Sequence, residues 1–188
     1  MLDPLGASLP GSWPLASAAV IRVLLTGMSG TGKSTLIAEL GARGYRAVDL
    51  DCDEYSEWVA VADGVDAPGS PVEPGRDWLW REDRVSDLLA VEVGDLLFVS
   101  GCAANMGPFL ARFDRVVLLQ APADVVLERL AARTGDDYGA RPAEAARVLD
   151  LMETVEPLLR HAAGFEIDTS APLEDVVAAV LEVARAPD

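Results

Sequence analysis

Histidine is almost absent from this chain, and His161 is the only one. A triad or metal cluster built on imidazole is therefore excluded as the source of any activity. Cysteine is nearly as scarce. Cys52 and Cys102 are too few for a disulfide framework or a zinc site, and they fit a reducing compartment, so a cytoplasmic location is expected. No apolar run approaches the ~20 residues of a membrane span, and no membrane partner is expected. Positive charge is also in short supply: 15 Lys and Arg face 31 Asp and Glu, for a net charge of −16. Such a chain is repelled by nucleic-acid backbones and anionic surfaces, so no nucleic-acid partner is expected either. Internal repeats and low-complexity segments are missing. What the 188 residues do supply is hydrophobic side chains, 51% of the total, enough for one domain with a sizeable core. Residues 1–17 contain Pro4, Pro10 and Pro14 and no basic start. They are expected to be a disordered leader or cloning remnant and not a signal peptide, which leaves 18–188 as the domain.

Gly27-Met28-Ser29-Gly30-Thr31-Gly32-Lys33-Ser34-Thr35 is the most informative stretch. It fits the phosphate-binding loop: Gly, four residues, Gly, Lys, then Ser or Thr. Glycines let the backbone curl so that successive N–H groups, including those around Ser29, Thr31 and Thr35, point at phosphate oxygens. Lys33 supplies a point charge for the β- and γ-phosphates, and the Ser34 hydroxyl is spaced to ligate Mg²⁺. Phosphoryl transfer runs on positioning and electrostatics, so it needs no imidazole. Residues 20–26 before the loop read as a buried strand. Leu36, Ile37 and Leu40 after it recur at helical spacing, with Gly44 placed as a C-terminal cap.

Further strands are predicted at 45–50, 96–100, 115–120 and 165–168, and helices at 78–90, 124–132, 143–163 (interrupted at Pro157) and 173–186. Residues 63–77 and 134–142 read as loops or lids from their Gly and Pro content. This alternation implies an α/β fold with a five-stranded parallel sheet covered on both faces. Ligands bind such sheets at the carboxyl ends of the strands. There lie the loop at 27–35, an acidic cluster (Asp49, Asp51, Asp53, Glu54, Glu57) and Ser100-Gly101-Cys102.

Taken together and in this order, these motifs resemble the small P-loop kinases of the shikimate kinase and nucleoside-monophosphate kinase group, over about residues 20–185. The resemblance implies a P-loop NTPase three-layer α/β/α fold with acceptor-binding helices within about 53–95 and a lid at about 133–143. It also implies ATP as donor, Mg²⁺, and a small-molecule acceptor. Asp49-Leu50-Asp51 resembles the Asp-x-Asp of shikimate kinases, which implies that Asp49 organises Mg²⁺ and Asp51 holds the acceptor hydroxyl and takes its proton. Trp80-Arg81-Glu82-Asp83 resembles that family's Phe-Arg substrate helix. Ser100-Gly101-Cys102 stands where a Gly-rich substrate loop stands, which implies substrate contacts from Arg81, Gly101 and Cys102. Arg133-Thr134-Gly135 and Arg141-Pro142 resemble an adenine-stacking Arg and a mobile-lid Arg. Asp168-Thr169-Ser170-x-Pro172 resembles the late loop at the adenine ring, which implies nucleotide contacts from Ser170 and Pro172.

The departures are equally specific. Val155 stands where shikimate kinases carry a carboxylate-clamping Arg, Cys102 replaces a third Gly, and Arg84 replaces a Glu. Shikimate is therefore not the expected acceptor. Several residues admit two readings. Asp49 and Asp51 are either catalytic carboxylates or helix N-caps. Asp53, Glu54 and Glu57 read as a solvated helix start. Arg129 and Arg133, one helical turn apart, and Arg141 either close over a triphosphate or pair with nearby acids. Arg81 and Arg84 either bind an anionic acceptor or pair with Glu82, Asp83 and Asp87. Trp58, Trp78 and Trp80 either wall an acceptor pocket or pack a core. The leading expectation is an ATP- and Mg²⁺-dependent kinase acting on a hydroxyl of a sugar-like or cyclitol-like metabolite. The alternatives are a nucleoside-monophosphate kinase, using Arg76, Arg81 and Arg84 on the acceptor phosphate, and a nucleotide-binding switch or slow ATPase.

Overall fold

A computed structural model describes residues 20–61, 75–133 and 141–187. The first strand, β1 (Ile21–Thr26), is apolar on both sides, and Val23, Leu24 and Leu25 are fully buried. Such a strand must sit inside a sheet covered on both faces. It is the centre of a five-stranded parallel sheet that also contains β2 (Arg46–Asp49), β5 (Leu96–Ser100), β6 (Arg115–Gln120) and β7 (Phe165–Asp168). The order across the sheet is β2-β5-β1-β6-β7. The chain therefore reverses its direction of travel beside β1, where a doubly wound sheet opens a crevice at its carboxyl edge.

Alternation along each strand divides the core. Leu24, Leu97, Val99 and Leu118 pack on one face, with Leu50, Val85, Phe109 and Leu159. Val23, Leu25, Phe98, Val117 and Leu119 pack on the other, with Leu36, Leu40, Val177 and Val180. The second face is covered by α1 (Lys33–Ala42) and α6 (Leu173–Arg185). The first is covered by α2 (Glu82–Ala90), a 3-10 turn at Gly107–Arg112, and α5 (Glu156–Ala162). A smaller cluster joins α3 (Ala123–Ala131) to α4 (Pro142–Thr154) through Val126, Leu130 and Val148. The interruption predicted at Pro157 falls where α4 gives way to α5: Pro157 sits in the first turn of α5, where its missing N–H costs nothing.

The stretch between β2 and α2 differs from expectation. Helical periodicity from Trp78 predicts a helix beginning there, but α2 begins at Glu82. Residues Ser56–Ala60 (β3) and Arg76–Trp80 (β4) instead form an antiparallel pair, with Ser56 opposite Trp80, Trp58 opposite Trp78 and Ala60 opposite Arg76. Aromatic residues at alternate positions are better accommodated on a pleated ribbon than in a first helical turn. Asp53 and Glu54 lie in turns and Glu57 lies in β3, so they do not start a helix. Arg81 is the residue preceding α2, so Arg81 and Arg84 do not share a helical face. The expected leader at 1–17 and most of the expected loops at 63–77 and 134–142 lie outside the described residues.

Candidate active site

The loop between β1 and α1 requires its glycines. A Cβ on Gly27 (φ 146°) would lie 2.3 Å from the carbonyl oxygen of Leu119 on β6, and Gly32 has φ 91° immediately before α1. The Thr31 side chain donates to Met28 O at 2.8 Å and tightens the turn. Lys33 is 8% exposed, and its ammonium group donates to Gly27 O at 2.8 Å and to Met28 O at 3.3 Å. It also lies 3.7 Å from Asp51 Oδ2. Burying the amine among glycine backbone has little structural use, but it fixes a positive charge directly over the loop at the positive end of α1.

β2 and β5 bring the acidic side of the site to this loop. The register pairs Asp49 with Ser100. The Ser34 hydroxyl donates to Asp49 Oδ2 at 2.8 Å, and the Ser100 hydroxyl donates to Asp49 Oδ1 at 3.0 Å. The Asp51 backbone N–H also donates to Asp49 Oδ1 at 3.0 Å. Asp49 is thus fixed by three donors and held against the hydroxyl of the loop. A hydroxyl beside a carboxylate is a hard-oxygen pair, and it fits Mg²⁺ bound jointly with nucleotide phosphates better than an all-protein cage. Among the described residues there is no group of three or more His, Cys, Asp and Glu able to hold a metal ion by themselves.

Asp51 faces the cavity. Its Oδ1 accepts from the Cys102 backbone N–H at 3.3 Å. Burial pushes its carboxyl above the usual aspartate range, Asp49 adds to that shift, and Lys33 opposes it. Burial also pushes the Cys102 thiol up. Gly101, between Ser100 and Cys102, has φ 157°. A Cβ there would lie 3.1 Å from both Leu50 Cβ and Trp80 Cζ2, so Gly101 serves close packing of this corner.

The opposite side of the loop is latched by residues from α3 and the β7–α6 turn. Arg133, just past α3, donates to Ser29 Oγ at 2.9 Å. Arg129 donates to Gly30 O at 3.3 Å and to Thr169 Oγ1 at 3.0 Å. The Thr169 hydroxyl lies 2.9 Å from Thr31 O and 3.2 Å from Gln120 O. The sequence signal for this latch was the one-turn spacing of Arg129 and Arg133. The sequence points to Ser170 and Pro172 as nucleotide contacts, whereas it is Thr169 that reaches the loop. The Ser170 backbone N–H bonds Asp168, Pro172 precedes α6, and neither lines the cavity.

These parts enclose a cavity of about 630 Å³. Gly27, Ser29, Gly30, Gly32, Lys33, Ser34, Thr35 and Arg133 line its phosphate end. Asp51, Cys102, Trp58 and Trp78 complete its lining, with Val148 and Leu151 from α4. The Trp58 and Trp78 ring centroids are 5.2 Å apart. Trp80 is core instead, 2% exposed and packed edge-on to Phe109. Two expected site residues are placed elsewhere. Arg81 pairs with Glu57 at 3.5 Å and donates to Ser56 O at 3.3 Å, which ties α2 to the β3–β4 ribbon. Arg141 precedes α4, its side chain 69% exposed and 3.4 Å from Glu144.

Known proteins agree with this arrangement. Residues 23–150 match the family described as AAA domain. Shikimate kinase 2 of Yersinia enterocolitica is 26% identical over 175 residues, 86% of this chain and 94% of that protein. The structure of a shikimate kinase from Acinetobacter baumannii in complex with shikimate superposes with a TM-score of 0.59 at 19% identity, covering 87% of this chain and 92% of that one. A gluconokinase from Sinorhizobium meliloti gives a TM-score of 0.52 at 19% identity, with 87% and 91% covered. The sheet order, the phosphate-binding loop and the match over most of the chain lead to one conclusion: this protein belongs to the AAA-domain family, with the fold of the small P-loop kinases of the shikimate kinase group.

Proposed function

We propose that this protein is an ATP- and Mg²⁺-dependent kinase that phosphorylates a hydroxyl group of a small metabolite other than shikimate. The observation that carries this reading is that Lys33, Ser34 and Asp51 line one cavity, with Lys33 and Asp51 only 3.7 Å apart and Asp49 hydrogen-bonded to Ser34. A hydrolase needs a phosphate site and a water. A carboxylate poised beside the phosphate-binding lysine, with an aromatic wall beyond it, is what a second substrate needs.

In this scheme the loop amides and Lys33 hold the β- and γ-phosphates, and Arg133 balances charge on their other side. Ser34 and Asp49 would hold Mg²⁺, which supplies charge neutralisation across the phosphates. Asp51 accepts the proton of the acceptor hydroxyl as its oxygen bonds to the γ-phosphorus; the bond from that phosphorus to the β–γ bridging oxygen breaks, and ADP leaves. Asp51 suits the step because its carboxyl is shifted toward neutrality, closer to the working pH of a base. Trp58, Trp78, Val148 and Leu151 would form the apolar wall of the acceptor side. The test is Lys33→Ala, with folding checked by circular dichroism. Loss of phosphoryl transfer in a folded variant is expected; near-normal turnover would overturn the assignment.

A further inference from the structure

The acceptor end of the cavity differs in charge from its phosphate end. Every lysine, arginine and histidine of the chain falls within the described residues, so the positive side chains can be placed in full. Of the 15 Lys and Arg, Lys33 and Arg133 line the cavity, and both belong to the phosphate end. The arginines near the acceptor end in sequence do not line the cavity. Arg76 lies over the Trp58 ring, 4.5 Å from its centroid, and Arg81 pairs with Glu57. Arg141 pairs with Glu144, and Arg147 pairs with Asp150. Val155 lies at the α4–α5 junction. Among the described residues, the acceptor wall consists of Trp58, Trp78, Val148, Leu151 and Cys102, and the one carboxyl on it is Asp51, 3.7 Å from Lys33.

A carboxylate or phosphate on the acceptor would have to give up water against these side chains with no cation to receive it. Among the described residues, a cation would find one carboxyl, which the phosphate-binding lysine already faces. An apolar ring face, by contrast, meets two indoles and two aliphatic side chains. From this we infer that the acceptor is an uncharged hydroxylated ring compound, lying with its apolar face against Trp58 and Trp78 and its reacting hydroxyl toward Asp51. The proposal rests on the kinase reading above and adds the substrate class to it. In the transfer the hydroxyl proton passes to Asp51, the new O–P bond forms, the bond from the γ-phosphorus to the β–γ bridging oxygen breaks, and ADP leaves.

The test uses matched probes on the full chain: shikimate against its methyl ester, glucuronate against methyl glucopyranoside, and uridine monophosphate against uridine. Binding is read by calorimetry with Mg²⁺ and a non-hydrolysable ATP analogue, and transfer by phosphorus NMR with ATP. The uncharged member is expected to bind at least about tenfold more tightly than its anionic partner, because the site offers that charge no counterpart. Trp58→Ala and the milder Trp58→Phe separate the wall from the fold, since Trp58 is 41% exposed. The alanine variant should weaken the uncharged probes by about fivefold, the phenylalanine variant less. Preference for the anionic member in any pair overturns the proposal, and so does saturable binding of no uncharged probe. Either result leaves the kinase reading standing if the ATP analogue binds. Failure of the wild-type chain to bind that analogue would instead overturn the kinase reading.

Discussion

Replacing Asp51 by Asn removes a charge and almost nothing else. The amide oxygen can still accept from the Cys102 N–H, as Oδ1 does at 3.3 Å, and Lys33 keeps its bonds to Gly27 O and Met28 O. The fold should tolerate the change, and the sign of the carboxyl's shift says why. Its folded pKa lies above its unfolded one. The native state therefore binds that proton more tightly, and keeping the group ionised costs stability at neutral pH, a cost relieved as pH falls through the raised value. Asp51→Asn removes that cost, so its melting temperature at pH 7 should match or exceed that of the parent. Catalysis should respond in the opposite direction. Loss of a general base lowers kcat by about 10²–10⁴-fold, equivalent to about 2.7–5.5 kcal/mol of barrier. In the parent, kcat/KM should fall on the acid side at a pH above the ordinary aspartate range, because Asp51 must be ionised to take the proton. That limb should vanish in the variant. The assay is ADP release with a confirmed acceptor between pH 4.5 and 9, on proteins matched by circular dichroism. A variant that keeps the parent's kcat, or that keeps the acid limb unchanged, refutes the role given to Asp51.

Other substitutions probe the remaining parts. Gly27→Ala puts a Cβ 2.3 Å from Leu119 O at positive φ; it should abolish binding of a fluorescent ATP analogue and cost about 2 kcal/mol or more in urea unfolding. Thr169→Val cuts the hydroxyl link from the β7–α6 turn to Thr31 O, and should raise KM for ATP about tenfold with kcat changed less than threefold in steady-state kinetics. Arg133 touches the loop through Ser29 whereas Arg141 pairs with Glu144, so Arg133→Ala should lower kcat/KM for ATP at least about tenfold more than Arg141→Ala. Equal losses in the two variants would restore Arg141 to the phosphate site.

The phosphate end was legible in sequence because its chemistry fixes residue spacing: glycines where the backbone must curl, then Lys33 and Ser34 at once after them. The five core strands were legible because runs such as residues 96–100 are too short and too apolar for anything else. The β3–β4 ribbon was not, although Ser56, Trp58 and Ala60 alternate as a strand should. Its partner lies across residues 62–74, too long a separation for a two-residue hairpin turn, and the helical period of α2 extends backward by chance through Trp78. The bonding roles of Ser100 and Thr169 were not legible for a different reason. Each acts by a hydrogen bond to a residue distant in sequence, Asp49 in one case and Thr31 in the other, and only the assembled sheet brings those partners together. The charge of the acceptor wall is likewise a property of which arginines line the cavity, and composition cannot report that.

The most direct measurement of the central claim is the fate of the γ-phosphoryl group. The full chain and its Lys33→Ala variant are incubated with Mg²⁺, γ-labelled ATP and a fractionated extract of small metabolites, and the labelled products are identified by mass spectrometry. A labelled phosphate monoester of an uncharged ring alcohol, formed by the parent and not by the variant, is the expected result. Label recovered only as inorganic phosphate, or in a nucleoside diphosphate, would contradict it.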